Sequence, residues 1–165
     1  MAISEPELRK LEPVLLRFAV RAVRDADVAR DLAQDALVAA LAQAAEFAGR
    51  STLRTWVVGI LSHKIMDHFR RRASQATDAD DRALVATPSE EDIERVVAAR
   101  QQLQAVERAL SELPEQERLA ILLCDVEGLE RENCCHVLGV TATHLRVLLH
   151  RGRNRLRRML EDGQG

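Results

Sequence analysis

A step of three and four residues between apolar positions, repeated almost from end to end, constrains this chain more than any other feature. Leu8, Leu11, Leu15, Phe18 and Ala22 keep that step, which places them on one face of an amphipathic helix. Val28, Leu32, Ala36, Ala40 and Ala44 keep it again, behind Asp27 as the predicted N-cap. The stretch "EFAGRST" breaks the pattern. Gly49 is the breaker there, and Ser51 or Thr52 caps a third helix that begins on Leu53, Trp56, Ile60 and Leu61 and runs to about Arg72. Ile93, Val96, Arg100, Leu103, Val106 and Leu110 outline a fourth. Pro114 opens another, with Glu115 and Glu117 in a first turn where negative charge suits the helix dipole. That helix ends near Gly128, a short one covers about Glu130 to Leu138, and Thr141 or Thr143 caps the last. With only 2% aromatic residues, Ala, Leu and Val must fill the core, and seven glycines and four prolines are too few for a many-turned β architecture. The expected fold class is all-α.

Between the third and fourth helices the texture changes. "ASQATDADDRALVATPSEED" is polar, acidic and without period, and it is long for a loop inside one domain. Ser89 with Asp92 resembles a capping box at its end. The predicted organisation is two small helical domains, residues 1–73 and 91–165, joined by a linker over residues 74–90.

The net charge is −2, so bulk charge does not announce a nucleic-acid binder, and such a case must rest on local charge. Local charge is what the C-terminus offers. "ENCCHVLGVTATHLRVLLHRGR" has the layout of a helix-turn-helix. Cys134, Cys135 and Leu138 are buried in its first helix, Gly139 turns the chain and Val140 plugs the corner. Leu145, Leu148 or Leu149, and Leu156 face inward from the second helix. Thr143, His144, Arg146 and Val147 then lie on its outer N-terminal surface, where such a helix meets base edges. Arg151, Arg153, Arg155, Arg157 and Arg158 extend a basic surface toward phosphates. On pattern alone this is either a DNA reader or a solvated helical hairpin whose arginines complement a helix C-terminus.

Several classes are disfavoured. "MAISEPELRK" is polar and lacks the layout of a signal peptide, and no apolar run is long enough to span a membrane. Three cysteines suit a reducing compartment and not a disulfide framework, so the expected location is the cytoplasm. Cys134, Cys135 and His136 are consecutive, so on a helix they point about 100° apart and cannot converge on one metal ion. No phosphate-binding loop, dinucleotide fingerprint or nucleophile elbow is present. No enzyme activity, metal or cofactor is expected.

Four stretches, taken in order, resemble the extracytoplasmic-function group of bacterial RNA polymerase sigma factors, which keep only regions 2 and 4. "DVARDLAQDALVAALAQAAEF" is similar to the region 2 helix that docks on core polymerase. "GRSTLRTWVVGILSHKIMDHFRRR" is similar to the promoter-melting part of region 2, "LSELPEQERLAILLCDVEGL" to the opening of region 4, and "VLGVTATHLRVLLHRGRNRLRRML" to its closing helix-turn-helix. The resemblance implies promoter-specific initiation. Region 2 would hold the clamp helices of the polymerase's largest subunit and open the −10 element. Region 4 would bind the −35 element and lie near the flap.

Carried over by position, the resemblance implies core docking for Asp31, Gln34 and Asp35, whose acidity suits a basic partner. Phe47, Ala48, Gly49, Arg50 and Ser51 match the loop that captures a flipped base, which needs a shaped pocket. Trp56, on the apolar stripe, is assigned to the core. His63, Lys64, Arg70 and Arg71 lie on the helix that would track the −10 strand, though Arg70 to Arg72 also fit a solvated helix end. An anti-sigma partner is a frequent companion in the family. The departures fall in region 4: Asn133, Cys134, Cys135, His144 and Leu148 are unusual residues for their positions. Gly152 stands where an alanine is common, at a cost of about 1 kcal/mol of helix propensity. The competing reading is a stand-alone helix-turn-helix regulator with an N-terminal sensing domain, but such a protein has no need of an acidic docking helix followed by "GRSTLRTW".

Overall fold

Pro13 divides the first predicted helix in two. In the computed structural model, which describes residues 3–75 and 93–163, α1 spans Glu5–Arg9 and α2 spans Glu12–Val23. Proline has no N–H to donate to the carbonyl four residues back, and its ring crowds that carbonyl, so a helix through position 13 is broken. Leu8 and Leu15 are buried on either side of the break, so the apolar stripe survives it. The next helix, α3, spans Ala26–Ala42 and is capped by Asp25, not by the predicted Asp27. Asp25 has the extended backbone (φ −136°) that lets its carboxylate accept from the amides of Asp27 and Val28 at 3.0 and 3.2 Å. Asp27 already sits in the first turn.

Ala29, Leu32, Ala33, Ala36 and Ala40 form the buried face of α3, and this mostly alanine face packs against α2. A 3-10 turn over Ala44–Glu46 follows, Gly49 takes the left-handed conformation (φ 69°), and the chain enters α4, Leu53–Ser74. Thr52, one of the two predicted caps, holds its start by accepting from the Thr55 amide at 3.1 Å. Val57, Val58, Leu61, Ile65 and Phe69 carry α4 into the core. The predicted linker, from residue 76 on, and the Ser89–Asp92 box lie outside the described residues.

In the second half α5 spans Ile93–Glu112. Its predicted apolar stripe does not face the core throughout: Leu103 is 61% exposed, and burial begins only with Ala109 and Leu110. A helical period marks a common face, and it does not say how much of that face finds a neighbour. α6 spans Glu115–Ile121, passes into a π turn over Leu122–Val126 and ends at Gly128 (φ 68°). α7 spans Arg131–Leu138, Gly139 turns the chain at φ 65° and ψ 36°, and Thr141 caps α8, Ala142–Asp162, accepting from the His144 amide at 3.1 Å. Cys134 and Leu138 are buried as expected, whereas Cys135 is half-buried. Leu145, Leu148 and Leu149 all face inward, so Leu148 is a core residue and not an altered base-reading position. Gly152 is likewise part of the packing. A Cβ there would lie 3.1 Å from Ile121 Cγ1 and 3.3 Å from its Cδ1, so the absent side chain lets α8 lie close to α6.

The two halves pack on each other, and one buried cluster extends from Leu8 to Leu149. Arg118, the arginine of the Leu-Pro-x-x-x-Arg stretch, joins them. Its guanidinium is buried and donates to the carbonyls of Ala22 (3.0 Å), Ser111 (3.2 Å) and Leu113 (3.0 Å). These are orphan carbonyls at the C-terminal ends of α2 and α5, which otherwise need water or a cap. Burial pushes the Arg118 pKa down to about 10, which leaves it charged at neutral pH. Arg21 with Glu107 (2.8 Å) and Arg54 with Glu127 (2.7 Å) add ion pairs at the rim.

Candidate docking face and nucleic-acid interface

Because α3 turns its alanines inward, Asp31, Gln34 and Asp35 come out together on its solvent face. The two carboxylates have no ion-pair partner among the described residues. Along the same face, at the helical steps of three and four, Val38 is 68% exposed and Leu41 48% exposed. The surface is therefore acidic at one end and apolar at the other. Sequence reading missed Val38 and Leu41, although the spacing from Asp31 and Asp35 was the available signal.

The turn between α3 and α4 forms a pocket of about 300 Å³ lined by Glu46, Phe47, Ala48, Arg50, Ser51 and Trp56. The Phe47 and Trp56 rings meet at 5.1 Å with 46° between their planes. Trp56 thus lines the pocket while packing, half-buried, against the core to which it was assigned. Gly49 supplies the left-handed turn and has open space around it, Arg50 is exposed, and the Ser51 hydroxyl donates to the Thr52 carbonyl at 3.2 Å. Two tilted rings and a cation at the edge suit a planar, unstacked base.

The basic residues of α4 divide. Arg70 pairs with Asp67 at 3.0 Å, Arg71 is exposed and Lys64 is half-buried. His63 is exposed, and its ring meets His136 of α7 edge-on at 6.1 Å. Desolvation there, with the positive field of His136, lowers the His63 pKa below its ordinary 6.5. His63 therefore belongs to the contact between the halves as much as to the α4 surface.

On α8 the helix-turn-helix leaves Thr143, His144, Arg146 and Val147 exposed in the first two turns. Arg146, His150, Arg153 and Arg157 follow steps of four, three and four, which puts them on one face. With Arg131 of α7 and Asn154 they line a basic hollow of about 370 Å³. Arg131, His150 and Asn154 were not singled out from the sequence. Arg153 is gripped by Asp125, with its Nε and Nη2 donating to the two carboxylate oxygens at 2.9 and 2.6 Å. Arg155 faces the other way, 3.1 Å from Glu117. Arg146 and Arg151 have no ion-pair partner among the described residues. No group of three metal-ligating side chains occurs among the described residues, and none of their helices is long and apolar enough to cross a membrane.

Comparison with known proteins aligns these surfaces with two family profiles. Sigma-70 region 2 matches residues 8–75, and Sigma-70, region 4 matches residues 103–156. The chain is 30% identical over 160 residues to the RNA polymerase sigma-H factor of Pseudomonas aeruginosa, covering 92% of this chain and 83% of that one. It is 26% identical over 145 residues to the RNA polymerase sigma factor YlaC of Bacillus subtilis, covering 87% and 84%. Among solved structures it is similar to the sigma factor RpoE in complex with the anti-sigma factor NepR from Bartonella quintana. The TM-score there is 0.72, with 28% identity and 94% and 95% of the two chains covered.

Proposed function

This chain belongs to the sigma-70 family of RNA polymerase sigma factors, in its extracytoplasmic-function group, and from that premise we propose how its surfaces divide the task of directing RNA polymerase to promoters. Asp31, Gln34 and Asp35, continued by Val38 and Leu41, dock on the clamp helices of the largest polymerase subunit. The acidic end steers the encounter and the apolar end contributes buried area. The Phe47–Trp56 pocket, with Gly49, Arg50 and Ser51, holds a base flipped from the −10 strand, while His63, Lys64, Arg70 and Arg71 follow its backbone. Thr143, His144, Arg146 and Val147 read the −35 duplex in the major groove. Arg151 and Arg153 hold its phosphates. Polymerase performs the chemistry, and this chain contributes binding energy and strand separation, in the cytoplasm where polymerase and DNA meet.

On polymerase the units at 1–73 and 91–165 act apart, joined by residues 74–90. Off it, the packed halves offer a surface to an anti-sigma partner, by analogy with the similar RpoE, which is in complex with NepR. The observation that carries the reading is the placement of the aromatics. The chain has three Phe, one Trp and no Tyr, and two of those four rings line a surface pocket, Trp56 while also packing against the core. The test is reconstitution of bacterial core polymerase with this chain on a promoter fragment selected from genomic DNA. Run-off RNA of one defined start, dependent on the chain, is the expected result. RNA that is unchanged when the chain is omitted overturns the reading.

A further inference from the structure

The sulfurs of Cys124, on the π turn, and Cys134, on α7, lie 2.7 Å apart. All three cysteines are free thiols. A disulfide bond is about 2.04 Å long, so these two sulfurs need only a small approach to join. Their surroundings differ. Cys134 is fully buried, with its sulfur also 3.7 Å from the Leu129 carbonyl, whereas Cys124 is half-buried at the edge of the turn. When Cys124 ionises, the Cys134 proton is donated to it, and this lowers the Cys124 pKa against the opposing effect of its partial burial. The same pairing, with burial, raises Cys134 well above the ordinary thiol range. One thiol thus meets solvent and forms the thiolate, and its neighbour waits behind it, protonated and shielded. Cys135 is one helical position on from Cys134 and points about 100° away.

We propose that Cys124 and Cys134 form a redox site, which a hydroperoxide closes to an intramolecular disulfide. The Cys124 thiolate attacks one oxygen of hydrogen peroxide. The O–O bond breaks, the departing hydroxide takes a proton to become water, and Cys124 becomes a sulfenic acid. The Cys134 sulfur then attacks Cys124 Sγ. The S–S bond forms, the S–O bond breaks, and the hydroxide leaves with the Cys134 proton as a second water. Two thiols lose two electrons and the peroxide gains them. Exchange with a small dithiol reverses the step. In a reducing cytoplasm a disulfide of this kind is transient, as a sensing site requires. The bond would tie the π turn to the first helix of the helix-turn-helix. It would form beside Asp125, which grips Arg153.

The test uses the full chain, treated with graded hydrogen peroxide, quenched with N-ethylmaleimide and digested with trypsin. Arg131 lies between the two cysteines, so trypsin leaves them on separate peptides that only a disulfide joins. The expected result is a fall from three alkylatable thiols to one, that one being Cys135, with the Cys124 and Cys134 peptides linked. Cys135→Ser should close the same bond, and Cys124→Ser should yield no disulfide. Because the readout is thiol chemistry, it stands or falls independently of any DNA or polymerase contact. A disulfide that includes Cys135, a cross-linked dimer, or three thiols still labelled after glutathione in the same tube has been oxidised would overturn the proposal.

Discussion

The outward faces of α3 and α8 present their charges differently. On α3 the two carboxylates, with no ion-pair partner among the described residues, stand beside exposed Val38 and Leu41. On α8 the charge is denser, yet Arg153 and Arg155 already hold Asp125 and Glu117. The acidic face is preformed, and binding there releases charge and apolar surface to a partner without breaking anything inside the chain. The basic face is partly engaged. A phosphate that takes Arg153 must displace a carboxylate, so much of that contact is exchanged and not gained. On the function proposed above, affinity for polymerase would come from α3, and sequence discrimination from the exposed residues at the start of α8.

The comparison breaks most sharply at α3. Asp31→Lys with Asp35→Lys should lower affinity for core polymerase by about a hundredfold or more, from the coupling energies of close charge pairs. The melting temperature should not change, since both residues are exposed. A fluorescence titration against core measures this, and an unchanged affinity removes the acidic face from the docking surface. Arg118→Ala should come next in size. It leaves buried carbonyls of α2 and α5 without a donor, at about 1–3 kcal/mol for each one left unsatisfied. Thermal unfolding should move down by several degrees, and small-angle scattering should show the halves moving apart. Retention of both values would mean that the contact contributes nothing to the packed arrangement.

On α8 the effects should be smaller and unequal. Arg146→Ala should cost about 1–3 kcal/mol on a matched −35 duplex and relax preference at one base pair. Arg151→Ala should weaken all sequences alike and flatten the salt dependence by about one unit of slope. Arg153→Ala should cost less than Arg151→Ala, because its Asp125 pair is given up on binding. Equal losses at 151 and 153 would show that the internal pair has no bearing on DNA.

The smallest effect is one of pH. Desolvation and His136 lower His63, so the unfolded chain binds more protons there than the folded one as pH falls below 6.5. Stability from this contact is complete above that value and is lost on acidification. Thermal melts from neutral to mildly acidic pH should show the decline, and His63→Gln should reduce it. A variant with the same decline as the parent would place the sensitivity elsewhere, His68 being the other histidine lowered by burial.

How much was legible depended on range. Gly49, Thr52, Gly139 and Thr141 act on their own turns, and each marks the boundary its chemistry suggests. The inward leucines of α8 and the outward Asp31 and Asp35 follow from helical period alone. Pro13 is a local breaker that the stripe from Leu8 to Ala22 does not register, because apolar spacing alone says nothing of a missing amide donor. Asp25 competed with Asp27 for one cap, and only backbone geometry separates them. Four features were beyond local pattern. Arg118 reaches a carbonyl 96 positions away and Arg153 a carboxylate 28 positions away, separations that no period encodes. Gly152 reads as a weak point of a helix until Ile121 is seen against it. Trp56 sits on an apolar stripe, and only the fold shows that its neighbour there is Phe47 at an open pocket.

The central claim is that one chain recognises two DNA elements with two separate surfaces. The most direct measurement is sequencing of the RNA made by core polymerase and this chain from a template library randomised at both −10 and −35. Wild-type chain should select a sequence at each element. Arg146→Ala should lose selection at −35 and keep it at −10, and Trp56→Ala should do the reverse. Selection at only one element by the wild-type chain, or the same loss at both elements in each variant, would contradict the account.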